Sequence, residues 1–255
     1  RMIVGITAPD EGNIRLFGQK ISSSLQDKIG YLPEERGLYK KMKVQEQLRY
    51  FAALKDVSQK IADERIDFWL NRMGLSDWKL KQAADLSKGM SQKIQFIAAV
   101  LHEPELIILD EPFSGLDPVN VESLLEAIAE LKANGKTIIF STHLMETAER
   151  LCDDIILINK SRKVLGGKLR EVKESFGKNL IAVRCVGGEK VLQDKTLIEN
   201  ITEHADGFEV ELVKDADVQI LLKRLIESGA EISRFEKIEP SLNDIFIAEV
   251  REKDA

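Results

Sequence analysis

Leu86-Ser87-Lys88-Gly89-Met90, Leu106-Ile107-Ile108-Leu109-Asp110-Glu111-Pro112, Ser114-Gly115-Leu116-Asp117 and Ser141-Thr142-His143 stand in that order along the chain. The run over residues 106–109 is short, wholly apolar and followed by two carboxylates. That is the pattern of a parallel strand buried on both faces, with its chemistry at the C-terminal end. Residues 119–134 read as a helix with Leu124, Leu125, Ile128 and Leu131 on one face and Asn134-Gly135 as its stop. The next apolar run, residues 137–141, reads as another buried strand. This β-α-β alternation predicts a three-layer α/β core with polar groups gathered at its strand ends.

Working outward, 255 residues suffice for one good-sized domain or for a smaller one with an appendage. Apolar residues make up 44% and charged residues 31%, the charges well mixed, which excludes a largely disordered chain. A net charge of −6 argues against a general nucleic-acid binder, because such binding rests on Lys and Arg neutralising phosphates. Cys152 and Cys185 lie in apolar stretches outside any CxxC or Cys/His cluster and read as buried, reduced thiols of a cytosolic protein. No apolar run approaches the ~20 residues that span a bilayer and no signal-like stretch is seen, so a membrane role is expected to come through a partner.

Residues 1–5 read as the end of a helix closed by Gly5, and residues 13–18 as a strand after a turn cluster. From Val44 to Gly74 apolar residues recur at helical spacing, predicting two helices of a helical subdomain over about residues 40–100. Trp69, Trp78 and Met73 read as core. Residues 155–158 read as a further buried strand that turns back through residues 159–162. Beyond Gly177 the pattern changes to alternation, over residues 181–186 and 208–213 with a hairpin turn at Asp206-Gly207. A helix from about Asp215 to Glu227, a strand over residues 231–235 and a last helix from Ser241 follow. The prediction is an α/β domain over residues 1–177 and a small α+β domain over residues 178–255.

Asp110 and Glu111, at a strand end before Pro112, are placed to hold Mg²⁺ and to face an attacking water; the plain alternative is a pair that caps the next helix or meets solvent. The small residues at 87–89 precede a helix expected to start near Ser91, and a helix N-terminus is an anion site. Lys88 adds a positive charge there or is simply solvated. His143 follows a strand end, whereas His102 and His204 lack such a setting and read as surface residues. Asp117-Pro118 starts the next helix, with Pro at its first turn.

Together these stretches resemble the second half of an ABC-type ATP-binding domain, a P-loop NTPase-like fold. The resemblance implies that Asp110 is the metal-side carboxylate, that Glu111 is the general base, and that His143 contacts the γ-phosphate. It makes residues 86–90 the signature motif, which closes over ATP held by an opposing subunit. The usual motif is Leu-Ser-Gly-Gly-Gln, so Lys88 and Met90 depart from it while Ser87 and Gly89 are retained. Residues 114–117 resemble the D-loop, which brings Asp117 to the dimer interface beside the hydrolytic site. Residues 30–37 align with the Q-loop, and Glu34 takes the place of the usual glutamine that meets the metal. The segment Pro33-Glu34-Glu35-Arg36-Gly37-Leu38-Tyr39 resembles one branch of exporter subunits with a C-terminal appendage. Implied with these are ATP and Mg²⁺ as cofactors, a second ATP-binding subunit and a polytopic membrane permease. A peripheral position on the inner face of the cell membrane follows, with no nucleic-acid partner.

The sequence contains no G-x-x-x-x-G-K-[ST] stretch, which the resemblance would place just ahead of Arg1. The chain is therefore expected to be part of a longer protein, to lack an interior strand of its sheet, and by itself neither to bind nor to hydrolyse ATP measurably. An ATP-hydrolysing transporter subunit is the leading reading. Two alternatives stay open: a non-transport ABC ATPase acting on ribosomes or DNA, and a non-catalytic partner that completes another subunit's ATP site.

Overall fold

In the computed structural model, which describes residues 1–34, 37–177, 180–213 and 216–254, the chain divides into two compact units, residues 1–143 and 144–255. Glu35 and Arg36 of the 30–37 segment, the expected domain start at 178 and the expected helix start at Asp215 lie outside the described residues.

In the first unit, Gly5 N–H bonds to Met2 O (3.0 Å) and Ile6 N–H to Arg1 O (3.1 Å), with Gly5 at φ 73°. These two bonds are the ones that close a helix C-terminus, although residues 2–5 themselves form a turn. The strand expected over residues 13–18 is instead a hairpin of β1 (Arg15–Leu16) and β2 (Gln19–Lys20). Phe17 and Gly18, at φ 51° and 75°, make its two-residue turn. α1 (Ser23–Gln26) leads to β3 (Ile29–Leu32). α2 (Val44–Ala53) and α3 (Gln59–Arg72) are the two helices read from the periodicity. Two 3₁₀ turns, Ser76–Trp78 and Ala83–Asp85, precede α4 (Lys88–Val100). α4 packs against α2, α3 and β3, burying Ile94, Phe96, Ile97 and Val100. Trp69 meets Phe96 edge-on at 5.9 Å; Met73 is buried and Trp78 half-buried. β3 comes so close to α4 that a Cβ at Gly30 would lie 2.1 Å from the Ala99 carbonyl oxygen.

β4 (Leu106–Asp110), α5 (Pro118–Ala133) and β5 (Thr137–Ser141) complete this unit, with Asn134 and Gly135 ending α5. The sheet is parallel in the order β3-β4-β5, with Leu32 opposite Leu109 and Asp110 opposite Ser141. β4 buries Leu106, Ile107 and Leu109 as expected, but β5 does not follow: Ile139 is 45% exposed. Among the described residues β5 pairs on one side only, and an apolar run does not distinguish a central strand from an edge strand.

The second unit begins with α6 (Met145–Leu151) and the hairpin of β6 (Asp154–Asn159) and β7 (Arg162–Lys168), turned through Lys160 and Ser161 at φ 47° and 61°. β6 is the expected strand and reverses where expected, but it is not buried: Ile156 and Ile158 are 68% and 65% exposed. α7 (Leu169–Phe176), β8 (Leu180–Val186), α8 (Glu189–Leu192), β9 (Ile198–His204), β10 (Gly207–Leu212), α9 (Val218–Glu227), β11 (Glu231–Lys237) and α10 (Leu242–Asp254) follow. β11-β8-β10-β9 form an antiparallel sheet whose Ile181, Val183, Val210 and Leu212 share one core with Leu221 and Leu225 of α9. Ser241 and Asp244 cap the start of α10 by exchanging backbone and side-chain bonds. Among the described residues neither cysteine forms a disulfide, and both are half-buried rather than buried as expected.

Candidate functional site

The in-register parallel strands deliver their C-terminal ends to one edge of the sheet. Glu34 stands two residues past β3, Asp110 and Glu111 at the end of β4, and His143 two residues past β5. Asp110 accepts a hydrogen bond from the Ser141 hydroxyl, a partner that the pairing register supplies. Glu111 adopts φ 45°, a left-handed conformation that costs a non-glycine residue about 1–3 kcal/mol. Its backbone is held there from both sides: Glu111 N–H donates to Ser141 O (3.1 Å) and, more weakly, to Ser141 Oγ (3.4 Å), and Ser114 N–H donates to Glu111 O (3.2 Å).

The resulting side-chain geometry is specific. Glu111 Oε1 is 3.0 Å from His143 Nδ1, while Oε2 is buried without a hydrogen-bond partner. An ionised carboxylate only accepts, so the imidazole donates through Nδ1. The Glu111 side chain is 20% exposed and that of His143 71%. The hydrogen bond from His143 to Glu111, then the charge of Glu111 and to a lesser degree that of Glu34, raise the His143 pKa above its ordinary value. A carboxylate oriented by an imidazole is suited to accept a proton from a water brought within hydrogen-bond reach.

Among the described residues no three His, Cys, Asp or Glu side chains gather as a metal cage. Two carboxylates, Asp110 and Glu34, nevertheless suit Mg²⁺, which takes one or two carboxylates and completes its shell with waters and phosphate oxygens. The unpaired Glu111 Oε2 likewise calls for a further partner. These residues fit the nucleotide and metal that the resemblance implies.

A second group forms where α4 and α5 begin. α4 starts at Lys88, three residues earlier than expected, because Ser87 Oγ caps it by accepting from Met90 N–H (3.2 Å). Gly89 therefore lies in the first turn, and a Cβ there would meet Asn120 Nδ2 at 3.1 Å and Leu116 at 3.4 Å. Lys88 is exposed, as a solvated side chain would be, and its ammonium end lies over Gly115, which is at φ 68°. Asp117 caps α5, accepting from Asn120 N–H (3.0 Å) and Asn120 Nδ2 (2.5 Å). Its bond from the Asn120 backbone N–H, followed by that from the Asn120 side chain, lowers its pKa.

Sequence reasoning missed three contributors. Ser141 was read only as a strand end. Gln92, buried on α4, donates to Pro112 O at 2.6 Å. Lys93, also buried, donates to Met73 O at 3.2 Å, and burial lowers its pKa against the opposing charge of Asp117. Polar residues at positions that continue the apolar face of Phe96 and Val100 were the available signal. His102, read as a surface residue, is half-buried with Nε2 3.1 Å from Ile29 O, and burial lowers its pKa. His204 is exposed, with Nε2 3.8 Å from Glu209.

Residues 1–114 match the family model described as ABC transporter, and residues 167–250 match that described as ATP-binding protein DrrA1-3-like, C-terminal domain. The chain is 46% identical over 250 residues to the ABC transporter ATP-binding protein YhaQ of Bacillus subtilis (strain 168), covering 98% of this chain and 84% of that protein. Among solved structures it is similar to an ATP-binding subunit of an ABC transporter, at TM-score 0.63 and 35% identity, over 69% of this chain and 75% of that one. It is also similar to cbiO1 of Clostridium perfringens, described as part of the ABC transporter complex cbiONQ, at TM-score 0.59 and 27% identity, over 67% and 71% of the two chains. A family that binds ATP, an α/β core of that family's type and acidic residues gathered at its strand ends agree with one another, and the chain belongs to the ABC transporter ATP-binding proteins.

Proposed function

We propose that this protein is the ATP-hydrolysing subunit of a transporter whose membrane path is a separate polytopic permease, and that it works as a nucleotide-dependent dimer. The observation that carries the reading is Glu111, with Oε1 on His143 and Oε2 buried and bare. Bound Mg²⁺-ATP supplies the phosphoryl group to be transferred and the cation that offsets its charge. Glu111 takes the proton of the attacking water. His143 steadies Oε1, and its bond to Glu111 holds its pKa above the ordinary imidazole value, which favours the charged ring on the phosphate side. Asp110 and Glu34 hold the metal. Ser87 and Gly89 turn the N-terminus of α4 toward the nucleotide of the opposing subunit, with Asp117 beside them at the interface.

No described helix is long and apolar enough to cross a membrane, which agrees with a separate permease that holds the subunit at the inner face. A groove of about 470 Å³ beside Pro33, lined by Leu38, Phe51, Leu54, Ala98 and Ala99, offers an apolar seat for it. Residues 1–177 form the ATP-binding domain, with residues 178–255 as an accessory domain. The reading carries the expectation that the 255-residue polypeptide by itself holds ATP too weakly for steady hydrolysis. In the protein assembled with its permease, Glu111→Gln should lower kcat by about 10²–10⁴-fold with little change in KM. Full turnover by that variant, or failure of any polytopic protein to copurify, overturns the proposal.

A further inference from the structure

Gln92 lies in the second turn of α4 and is 1% exposed. Its amide donates to Pro112 O at 2.6 Å, and its Oε1 is buried without a hydrogen-bond partner. Leucine or methionine would fill the same volume without stranding an amide oxygen in the core. Packing alone therefore does not account for glutamine here. Pro112 directly follows Glu111, the non-glycine residue at φ 45°. The Glu111 N–H is tied to Ser141 on β5, and its carbonyl to Ser114 in its own loop. The bond from Gln92 is the tether that comes from α4, the helix whose first turn holds Ser87 and Gly89.

We infer that Gln92 is a positioning residue for Glu111: it holds the turn at residues 111–112 that points Oε1 at His143, and it links displacement of the α4 N-terminus to that carboxylate. The inference rests on the reading of Glu111 as the base. Through this link, closure of the α4 start on one nucleotide bears on the carboxylate that serves the chain's own.

The test uses this chain, whose three histidines permit direct NMR titration of the His143 ring. Parent, Gln92→Met and Glu111→Gln proteins are titrated alongside urea unfolding. Glu111→Gln is expected to move the His143 midpoint down toward the ordinary imidazole value. Gln92→Met is expected to move it by at least half as much while the urea midpoint stays near that of the parent. Should Gln92→Met fold poorly, Gln92→Leu removes the same bond. A folded Gln92 variant whose His143 titrates like the parent's overturns the inference and leaves the site standing. A His143 that ignores Glu111→Gln overturns the reading of the site itself.

Discussion

At the ends of β3, β4 and β5 the side chains are left incompletely paired: Glu111 is in a left-handed turn, one of its oxygens has no partner, and His143 is exposed. At the starts of α4 and α5 the corresponding groups are closed off. Ser87 bonds to Met90 and Asp117 to Asn120, while Gly89 and Gly115 admit Asn120 and Lys88 against the backbone. The first region carries strain and bare polar atoms; the second consists of satisfied caps and close packing. On the function proposed above, the first region exchanges protons and keeps an open valence, whereas the second only closes on a phosphate and does best rigid and presented by helix N–H groups.

Gly30 is where the scaffolds of the two regions touch, and Gly30→Ala should have the largest effect. A Cβ directed at the Ala99 carbonyl has no flexible neighbour to displace, so about 3 kcal/mol or more should be lost in urea unfolding. An alanine variant as stable as the parent would mean that β3 and α4 are not in such close contact. The regions themselves should answer removal of their key residue with opposite signs. Ser87→Ala deletes a cap and should cost about 1 kcal/mol. Glu111→Gly releases left-handed strain, and after the entropy of the added glycine it should gain about 1 kcal/mol. Equal losses from both would erase the contrast.

Smaller effects follow from titration. The Asp117 pKa is lowered, so its cap contributes stability above the ordinary carboxylate pKa, and that contribution disappears as pH falls through the folded value. Asp117→Asn should flatten that acid limb of the stability curve and leave neutral pH nearly unchanged. The His143 pKa is raised, so its bond to Glu111 contributes below the ordinary imidazole pKa and is lost as pH rises through the folded value. Unfolding of Glu111→Gln at a series of pH values should show that component missing on the mildly acidic side, and an unchanged curve would count against the pair.

Both regions could be read from the chain, to different depths. Apolar residues 106–109 before two carboxylates specify a buried strand with chemistry at its end, because burial on both faces demands an unbroken apolar run. The small residues at 87–89 and Asp117-Pro118 mark helix starts for equally local reasons. Identical reasoning overstated the burial of β5 and β6, since an isoleucine run specifies a strand but not what covers it. The hairpin at residues 15–20 was missed because its turn depends on two positive φ values, one of them at Phe17.

By itself, then, the sequence determined the elements, the strand-end carboxylates and the helix starts, all consequences of local periodicity and capping chemistry. Only the tertiary structure decided that Glu111 turns one oxygen to His143 and strands the other, that Ser141 bonds to Asp110, and that Gln92 reaches Pro112. Those contacts join residues far apart in the chain, and no local pattern encodes them. They follow from strand register and from the packing of α4, which place the groups in three dimensions once the whole core has formed.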